Sequence, residues 1–361
     1  MKKRNLMFLV IALLAVFTAC EKNEIGDDTD NPYLPSDTSA QKSYVLISNE
    51  GPFLTGTGSI TRYDRVLKTC QKKVFENANN YPPGNIVQSV EVYDNKVFII
   101  VNNANKIEIA NDSSFESIAV IENISLPRYL LPIDKNKAYV SCWDDKVAVI
   151  DLVNYEVINS IAVGVGPEKM LRYENKVFVL NIGGFGNDST LSVIDCNSDV
   201  VDTTFFVASR PSGIVLDKNS NIWVMCSGTG FNGYPLPGDS PGHLICIDPG
   251  DYSIIQDITF TSSTEHPYKL VINHLKDILF YLYPGGIFKF NINSNSLESI
   301  PFVASSSMFY ALGFDDEEEL IYVSDPLDYV QQGWVFKYDA TNGTVVDSFE
   351  SGVIPGGFYF N

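Results

Sequence analysis

The chain has 361 residues, 45% hydrophobic and 12% aromatic, with 44 acidic side chains against 25 basic ones and a formal net charge of −19. That length and apolar content suffice for a sizeable buried core. So large an acidic excess argues against nucleic acid or an anionic lipid surface as the ligand, because both are recognised through a cationic face.

The N-terminus reads as a targeting segment. Lys2, Lys3 and Arg4 form a charged start, Leu6 to Val16 an apolar run too short to span a bilayer comfortably, and Phe17-Thr18-Ala19-Cys20 ends in a small residue before cysteine. Residues 1–19 are expected to be a lipoprotein signal peptide. Cys20 then becomes the acylated first residue and holds the chain to a membrane by its lipid. Residues 20–42 are rich in Asp, Asn, Ser, Thr and Pro, cannot bury a core, and are expected to form a tether. Their acidic residues Glu21, Glu24, Asp27 and Asp28, interrupted by Lys22 and Asn23, resemble a lipoprotein surface-export signal of gut Gram-negative bacteria. The expected location is therefore the outer membrane, facing outward. Loss of Lys2, Lys3 and Arg4 makes the mature chain still more acidic.

From residue 43 onward one hexad dominates: any residue, an apolar one, two more, usually an apolar one, then Asp or Asn. It ends at Asp64, Asn111, Asp151, Asp195, Asp248, Asn291 and Asp339, with Lys146-Val147-Ala148-Val149-Ile150-Asp151 the clearest copy. A recurrence every 40 to 53 residues, rich in β-branched and aromatic side chains, marks propeller blades rather than a helical solenoid. The terminal Asp or Asn is suited to capping the next backbone N–H groups in a tight turn. Around the third hexad, Pro127 to Leu131, Lys137 to Ser141 and Tyr155 to Ile161 supply three more strands, completing a four-stranded blade.

The strand-opening signal also recurs seven times, at Val87, Pro127, Pro167, Pro211, Pro267, Met308 and Pro355. It is offset from the hexads: the last opening has no hexad after it, and the first hexad has no opening before it. The reading is an all-β, seven-bladed propeller over residues 43–361, closed by Gly357 to Phe360 pairing into the blade that Tyr44 to Ile47 begins. The residues after the openings, namely Gln88, Arg128, Glu168, Ser212, Tyr268, Phe309 and Gly356, are expected to line the channel mouth.

Loop length separates the two faces. On one side the turns are short (Asp94-Asn95, Glu174-Asn175, Lys218 to Asn221, Leu275 to Asp277). On the other, Asn49 to Gly58, Asn181 to Ser189, Ser227 to Gly242 and Asp325 to Gly333 are long. Long loops on a rigid scaffold are where binding usually resides. These carry Phe53, Phe185, Phe231, Asn232, Tyr234 and Tyr329, with Trp143 and Tyr283 in shorter equivalents and Trp334 at a strand start. Candidate ligand contacts are thus Gln88, Arg128, Trp143, Glu168, Phe185, Phe231, Asn232, Tyr234, Tyr268, Phe309, Tyr329 and Trp334.

No catalytic signature stands out: there is no Gly-x-Ser-x-Gly elbow, Walker loop or HExxH. His243 and His266 should both lie near the long-loop face, but no placed carboxylate accompanies them. Asp315 to Glu319 reads as a solvated acidic tip. Five cysteines remain besides Cys20, with no CxxC spacing, so neither a disulfide framework nor a zinc site is indicated. A Cys226–Cys246 pair across one long loop stays open.

The lipobox, the strand Tyr44-Val45-Leu46-Ile47-Ser48-Asn49-Glu50-Gly51, and Val101-Asn102-Asn103 with Lys106-Ile107-Glu108 resemble the YncE-like, seven-bladed surface-layer lipoproteins of gut Gram-negative bacteria. The resemblance covers the mature chain. Its BtuG-type members capture vitamin B12 and related corrinoids and sit over a TonB-dependent transporter. It implies a binding protein without a catalytic cofactor, taking a corrinoid or similar large nutrient and passing it to such a transporter. The alternatives are a propeller that docks a protein or glycan, and a lactonase- or lyase-type enzyme built on His243 and His266.

Overall fold

The computed structural model describes residues 43–53 and 55–361. The expected signal peptide, the acylated Cys20 and the tether to Lys42 lie outside the described residues.

Seven antiparallel four-stranded sheets form a ring, and the fold is an all-β, seven-bladed propeller. The first strands of neighbouring blades contact one another all the way round, which makes them the inner wall of the central channel. In the first blade that inner strand is Pro355–Phe360. It pairs with Tyr44–Asn49 with Val45 opposite Phe360, Leu46 opposite Tyr359 and Ile47 opposite Phe358. The offset between hexads and strand openings therefore has the expected cause. The chain closes on itself and leaves no sheet edge open at the junction.

The second strand of each blade is almost continuously apolar because both of its faces are covered. Along Lys96–Val101, Phe98 and Ile100 face the third blade, while Val97, Ile99 and Val101 face the first. Apolar packing is distributed in this way into clusters at every seam between blades. Each fully buried Val, Leu, Ile or Phe contributes roughly 1.5–3 kcal/mol relative to exposure.

All seven hexads sit on third strands, and their terminal residues shape the next turn. The Asp151 carboxylate accepts from the Val153 and Asn154 amides, Asp195 from Asn197 and Ser198, and Asn111 from Ser113 and Ser114. Asp64, Asp248, Asn291 and Asp339 accept equivalent bonds from Leu67, Gly250, Asn293 and Thr341.

Two details differ from the sequence reading, and a third that it left open is resolved. A short helix, Val74–Asn79, follows the first blade and anchors Phe75 in the seam with the second. The run from Asp315 is only in part a solvated tip: Asp316, Glu317 and Glu319 are exposed, but Asp315 is 0% exposed and ion-paired with Arg65 at 2.9 Å, Glu317 also reaches Arg65, and Glu318 accepts from Lys337 at 2.8 Å and from the Tyr322 hydroxyl at 2.9 Å. Cys226 and Cys246 are both free. Cys246 lies opposite Trp223 rather than Cys226, and the two thiols point into different seams.

Candidate ligand-binding site

The inner strands do not enter the channel as regular ladders. Pairing skips one residue between Val87 and Ser89, Pro211 and Gly213, and Tyr268 and Leu270, and two between Pro127 and Leu130 and between Pro167 and Met170. The closing strand is irregular at the corresponding place, opposite Ser48 and Asn49. A bulge leaves a residue without a cross-strand partner and re-aims its side chain. Here the re-aimed residues include Gln88, Arg128, Glu168 and Ser212.

Arg128 and Glu168 form the centre of the mouth. The guanidinium donates to both carboxylate oxygens, Nε to Oε2 at 2.8 Å and Nη2 to Oε1 at 2.7 Å, and Nη1 donates to the Gln88 side-chain oxygen. Trp143 covers this pair: its indole Nε1 donates to Glu168 at 2.8 Å and its ring stacks 3.9 Å from the Arg128 guanidinium carbon. Burial works to raise the Glu168 carboxyl, but Arg128, with help from Lys269 and Trp143, holds it below the usual carboxylate range. Bidentate, charge-assisted pairs of this kind fix geometry as well as charge.

Above the pair the aromatic loops rise. Phe185 is 89% exposed and meets Trp143 edge-on at 5.3 Å. Its loop packs tightly beneath: a Cβ on Gly166 would stand 2.0 Å from the Gly184 nitrogen. Arg210 bridges two loops, donating to the Gly186 carbonyl at 2.8 Å and lying 5.6 Å from the Phe231 ring. Asn232 is locked to the His266 backbone by reciprocal bonds of 2.9 and 2.7 Å, and Tyr234 projects into solvent nearby. Tyr329 meets Tyr310 edge-on at 5.9 Å.

Of these, Glu168, Arg210, Phe231, Asn232 and Tyr310 line a hollow of about 370 Å³ completed by Tyr129, Lys169, Ser212, His266, Tyr268 and Lys269, while Phe185, Tyr234 and Tyr329 stand outside its lining. A second hollow of about 270 Å³ shares Asn232 and Tyr268 and extends to Tyr283, Ser305 to Ser307 and Phe309. A third, of about 190 Å³, shares Tyr129, Lys169 and Lys269 and continues down the channel to Glu91 and Tyr359.

The structure thus brings Glu168, Phe231, Asn232 and Tyr268 onto one hollow, with Arg128, Gln88 and Trp143 directly supporting Glu168. Phe309 is 4% exposed and packs in the seam between the sixth and seventh blades; its carbonyl accepts the Tyr268 hydroxyl at 2.6 Å. Its neighbour Tyr310 reaches the channel instead and donates to Glu50 at 2.9 Å. Trp334 lies inside the strand Gln332–Asp339, opposite Asp325, and lines none of these three hollows.

Sequence reasoning missed Glu50, Tyr129, Lys169, Lys269, Tyr310 and Arg210. Tyr129, Lys169, Lys269 and Tyr310 each stand two residues after an opening position, a register the sequence displays, whereas Glu50 and Arg210 lie outside it. The Asn49-Glu50-Gly51 motif resolves into three roles. Asn49 accepts from Ser351 and the Gly352 amide at the ring closure, Glu50 points into the channel, and Gly51 has φ +80° against the Thr57 carbonyl.

The histidines are separated in role. His243 Nδ1 pairs with Asp257 at 2.8 Å, and His266 Nδ1 contacts the Ser227 carbonyl at 3.0 Å. His266 Nε2 has no hydrogen-bond partner among the described residues, although it borders the first hollow. No group of three or more His, Cys, Asp and Glu side chains among the described residues is placed to hold a metal.

Solved structures similar to this chain include hydrazine synthase of Kuenenia stuttgartiensis (TM-score 0.61, 11% identity, covering 74% of this chain and 89% of that one). A quinoprotein alcohol dehydrogenase-like protein of Bacteroides thetaiotaomicron has a TM-score of 0.64 and 14% identity, covering 88% and 78%. The computationally designed protein Ika8 has a TM-score of 0.59 and 12% identity, covering 89% and 91%. At such identities the likeness concerns the fold alone. No curated protein matches the sequence significantly. The family model described as a domain of unknown function, DUF5074, matches residues 44–360, and the chain belongs to that family.

Proposed function

We propose that this protein captures a large, polar-edged organic nutrient of the corrinoid class on its long-loop face and passes it to a TonB-dependent outer-membrane transporter. The observation that carries the reading is the mouth of the channel. There a hollow of about 370 Å³ has Glu168 in its polar wall, fixed from behind by Arg128 and Trp143, with exposed Phe231 on its rim and the exposed rings of Phe185 and Tyr234 on the neighbouring loops. Apolar area for affinity with a few fixed polar groups for orientation is the usual composition of a small-molecule site. A closed ring holds both in place before the ligand arrives, which limits the ordering cost of binding. The adjoining hollow of about 270 Å³ gives room for a ligand broader than either space alone.

The choice of corrinoid and of transporter rests on the resemblance carried by Asn49-Glu50-Gly51 and by Asn102-Asn103 with Glu108, and delivery presumes the lipid anchor at Cys20. In this reading the site binds and releases; it performs no chemistry on its ligand. Titration calorimetry and visible absorbance with cyanocobalamin test it. The expected result is saturable binding at micromolar concentration or below, weakened at least about tenfold by Trp143→Ala, equivalent to about 1.4 kcal/mol. Absence of both heat and spectral change at micromolar concentrations removes the corrinoid.

A further inference from the structure

Two lysines at the floor of the mouth differ from the other charged groups of the mouth. Arg128 is engaged by Glu168 and Gln88, and Glu50 accepts the Tyr310 hydroxyl. Lys169 and Lys269 instead extend their ammonium groups over aromatic rings, Lys169 at 5.5 Å from the Tyr129 centroid and Lys269 at 5.8 Å from that of Tyr310. Neither makes a hydrogen bond or ion pair among the described residues. Both belong to the wide hollow above and to the narrower one below, so with Tyr129 they form the constriction between the two.

Nothing nearby neutralises them fully. Glu168 already carries the Arg128 charge, and burial raises the Glu50 carboxyl above its usual range. At the lower end burial alone raises Glu91 to about 8, so it is largely protonated at neutral pH. Arg210 adds a further cation on the same hollow. Burial, followed by the Lys269 charge, lowers Lys169 to about 8, and burial likewise lowers Lys269. A protein with a net charge of −19 thus concentrates cations at the boundary between these two hollows. Both side chains are half-buried; unpaired ammonium groups partly withdrawn from water carry a cost that cation–ring contact returns only in part. The group that completes such an arrangement is an anion.

We propose that Lys169 and Lys269 form the seat of an anionic substituent of the ligand, a carboxylate or a phosphate, held at the constriction of the central channel. The inference rests on the capture reading in treating the mouth as a ligand site, and it specifies which chemical group enters deepest. An anion between the two ammoniums accepts charge-assisted hydrogen bonds from both. The Tyr129 hydroxyl is a third donor, since it receives a weak 3.5 Å bond from the Gln88 amide and keeps its own proton free. The overall acidic surface opposes such a ligand at long range, so the selectivity is local.

The test is titration calorimetry of the purified protein with inorganic phosphate and, separately, with acetate. Wild type is compared with Lys169→Met, Lys269→Met and, as a control, Lys135→Met in an exposed turn. The expected result is saturable binding of at least one anion, reduced about tenfold or more by either channel substitution and unchanged by the control. Acetate, whose charge is constant, should also bind more weakly at pH 9 than at pH 7. Tighter phosphate than acetate identifies a phosphate-bearing ligand, and the reverse a carboxylate. Both channel variants should melt no lower than wild type, which separates lost binding from lost folding. Failure of both anions to saturate by about 50 mM, or binding indifferent to both substitutions, overturns the proposal. Parallel titration with cyanocobalamin keeps the two readings apart. Corrinoid binding without anion binding sinks the lysine seat alone, and anion binding without corrinoid binding sinks the corrinoid alone.

Discussion

Arg65 and Arg128 are both withdrawn from water and both held by carboxylates, but they stand on opposite faces of the ring and in different company. Arg65 lies on the short-turn face at the seam where the seventh blade meets the first. Its Nε faces Asp315 at 2.9 Å, its Nη1 reaches Glu317, and its amide donates to the Ser43 carbonyl at 3.2 Å. Close by, Lys337 donates to Glu318 while lying about 5 Å from the rings of Tyr63 and Tyr322. Each cation in that seam has an anion. At the channel mouth Arg128 is equally well paired, yet Lys169 and Lys269 beside it are not, and the space above them is hollow. A seam completes its charges internally because nothing else will ever reach them. A site holds some charges open.

The comparison can be broken most forcefully at Asp315. Asp315→Ala leaves Arg65 buried without its one fully buried anion, and the expected loss is about 3–5 kcal/mol of stability by chemical denaturation. Cyanocobalamin affinity of the folded fraction should stay within about twofold. A loss below about 1 kcal/mol would mean that Glu317 alone satisfies Arg65.

An intermediate effect is expected lower in the channel, where Glu91 titrates. Its folded-state pKa of about 8 lies above the ordinary 4.5, so between those values the folded protein holds more protons than the unfolded chain. The contribution of Glu91 is therefore fully favourable at low pH and falls as pH rises toward 8. Glu91→Gln should flatten that part of the profile, with a higher melting temperature than wild type at pH 8 and little difference at pH 5. Parallel profiles for the two proteins would show that Glu91 is not protonated by its surroundings.

The smallest effect on stability belongs to the rim. Phe185 touches Trp143 but buries little, so Phe185→Ala should change stability by less than about 0.5 kcal/mol. Corrinoid affinity should nevertheless fall several-fold by calorimetry. Unchanged affinity would remove Phe185 from the binding surface and sharpen attention on Trp143 and Phe231.

The parts of this architecture visible in the sequence are those fixed by local rules. Asp151 and its six counterparts act on amides two or three residues ahead, so the turn and the blade period could be read directly. The closing strand was legible because its opening signal lacked a hexad, and the two faces because Ser227 to Gly242 is so much longer than Asp94-Asn95. What could not be read depends on distant partners. Asp315 looks like part of a solvated run until Arg65, far away along the chain, is placed beside it. A bulge decides that Lys169 joins Glu168 in the channel, and Tyr310, not Phe309, reaches it from the segment just before Leu312–Asp315. The helix Val74–Asn79 has only six residues, too few for a helical period to declare itself, and both its flanking residues, Lys73 and Asn80, are left-handed.

Ring closure also bears on how the protein is made. Tyr44–Asn49 finds its inner neighbour only in Pro355–Phe360, so the first sheet waits with a bare hydrogen-bonding edge while nearly the whole domain emerges behind it. Contacts this far apart in the chain slow folding, and an unpaired edge invites association with other chains in the meantime. A frameshift near Pro355 would therefore do more harm than its few altered residues suggest, turning a circular molecule into an open, adhesive one. Conversely, the juxtaposed strands offer a place to join the two segments by a short peptide and cut new ends in an exposed turn such as Asp94-Asn95.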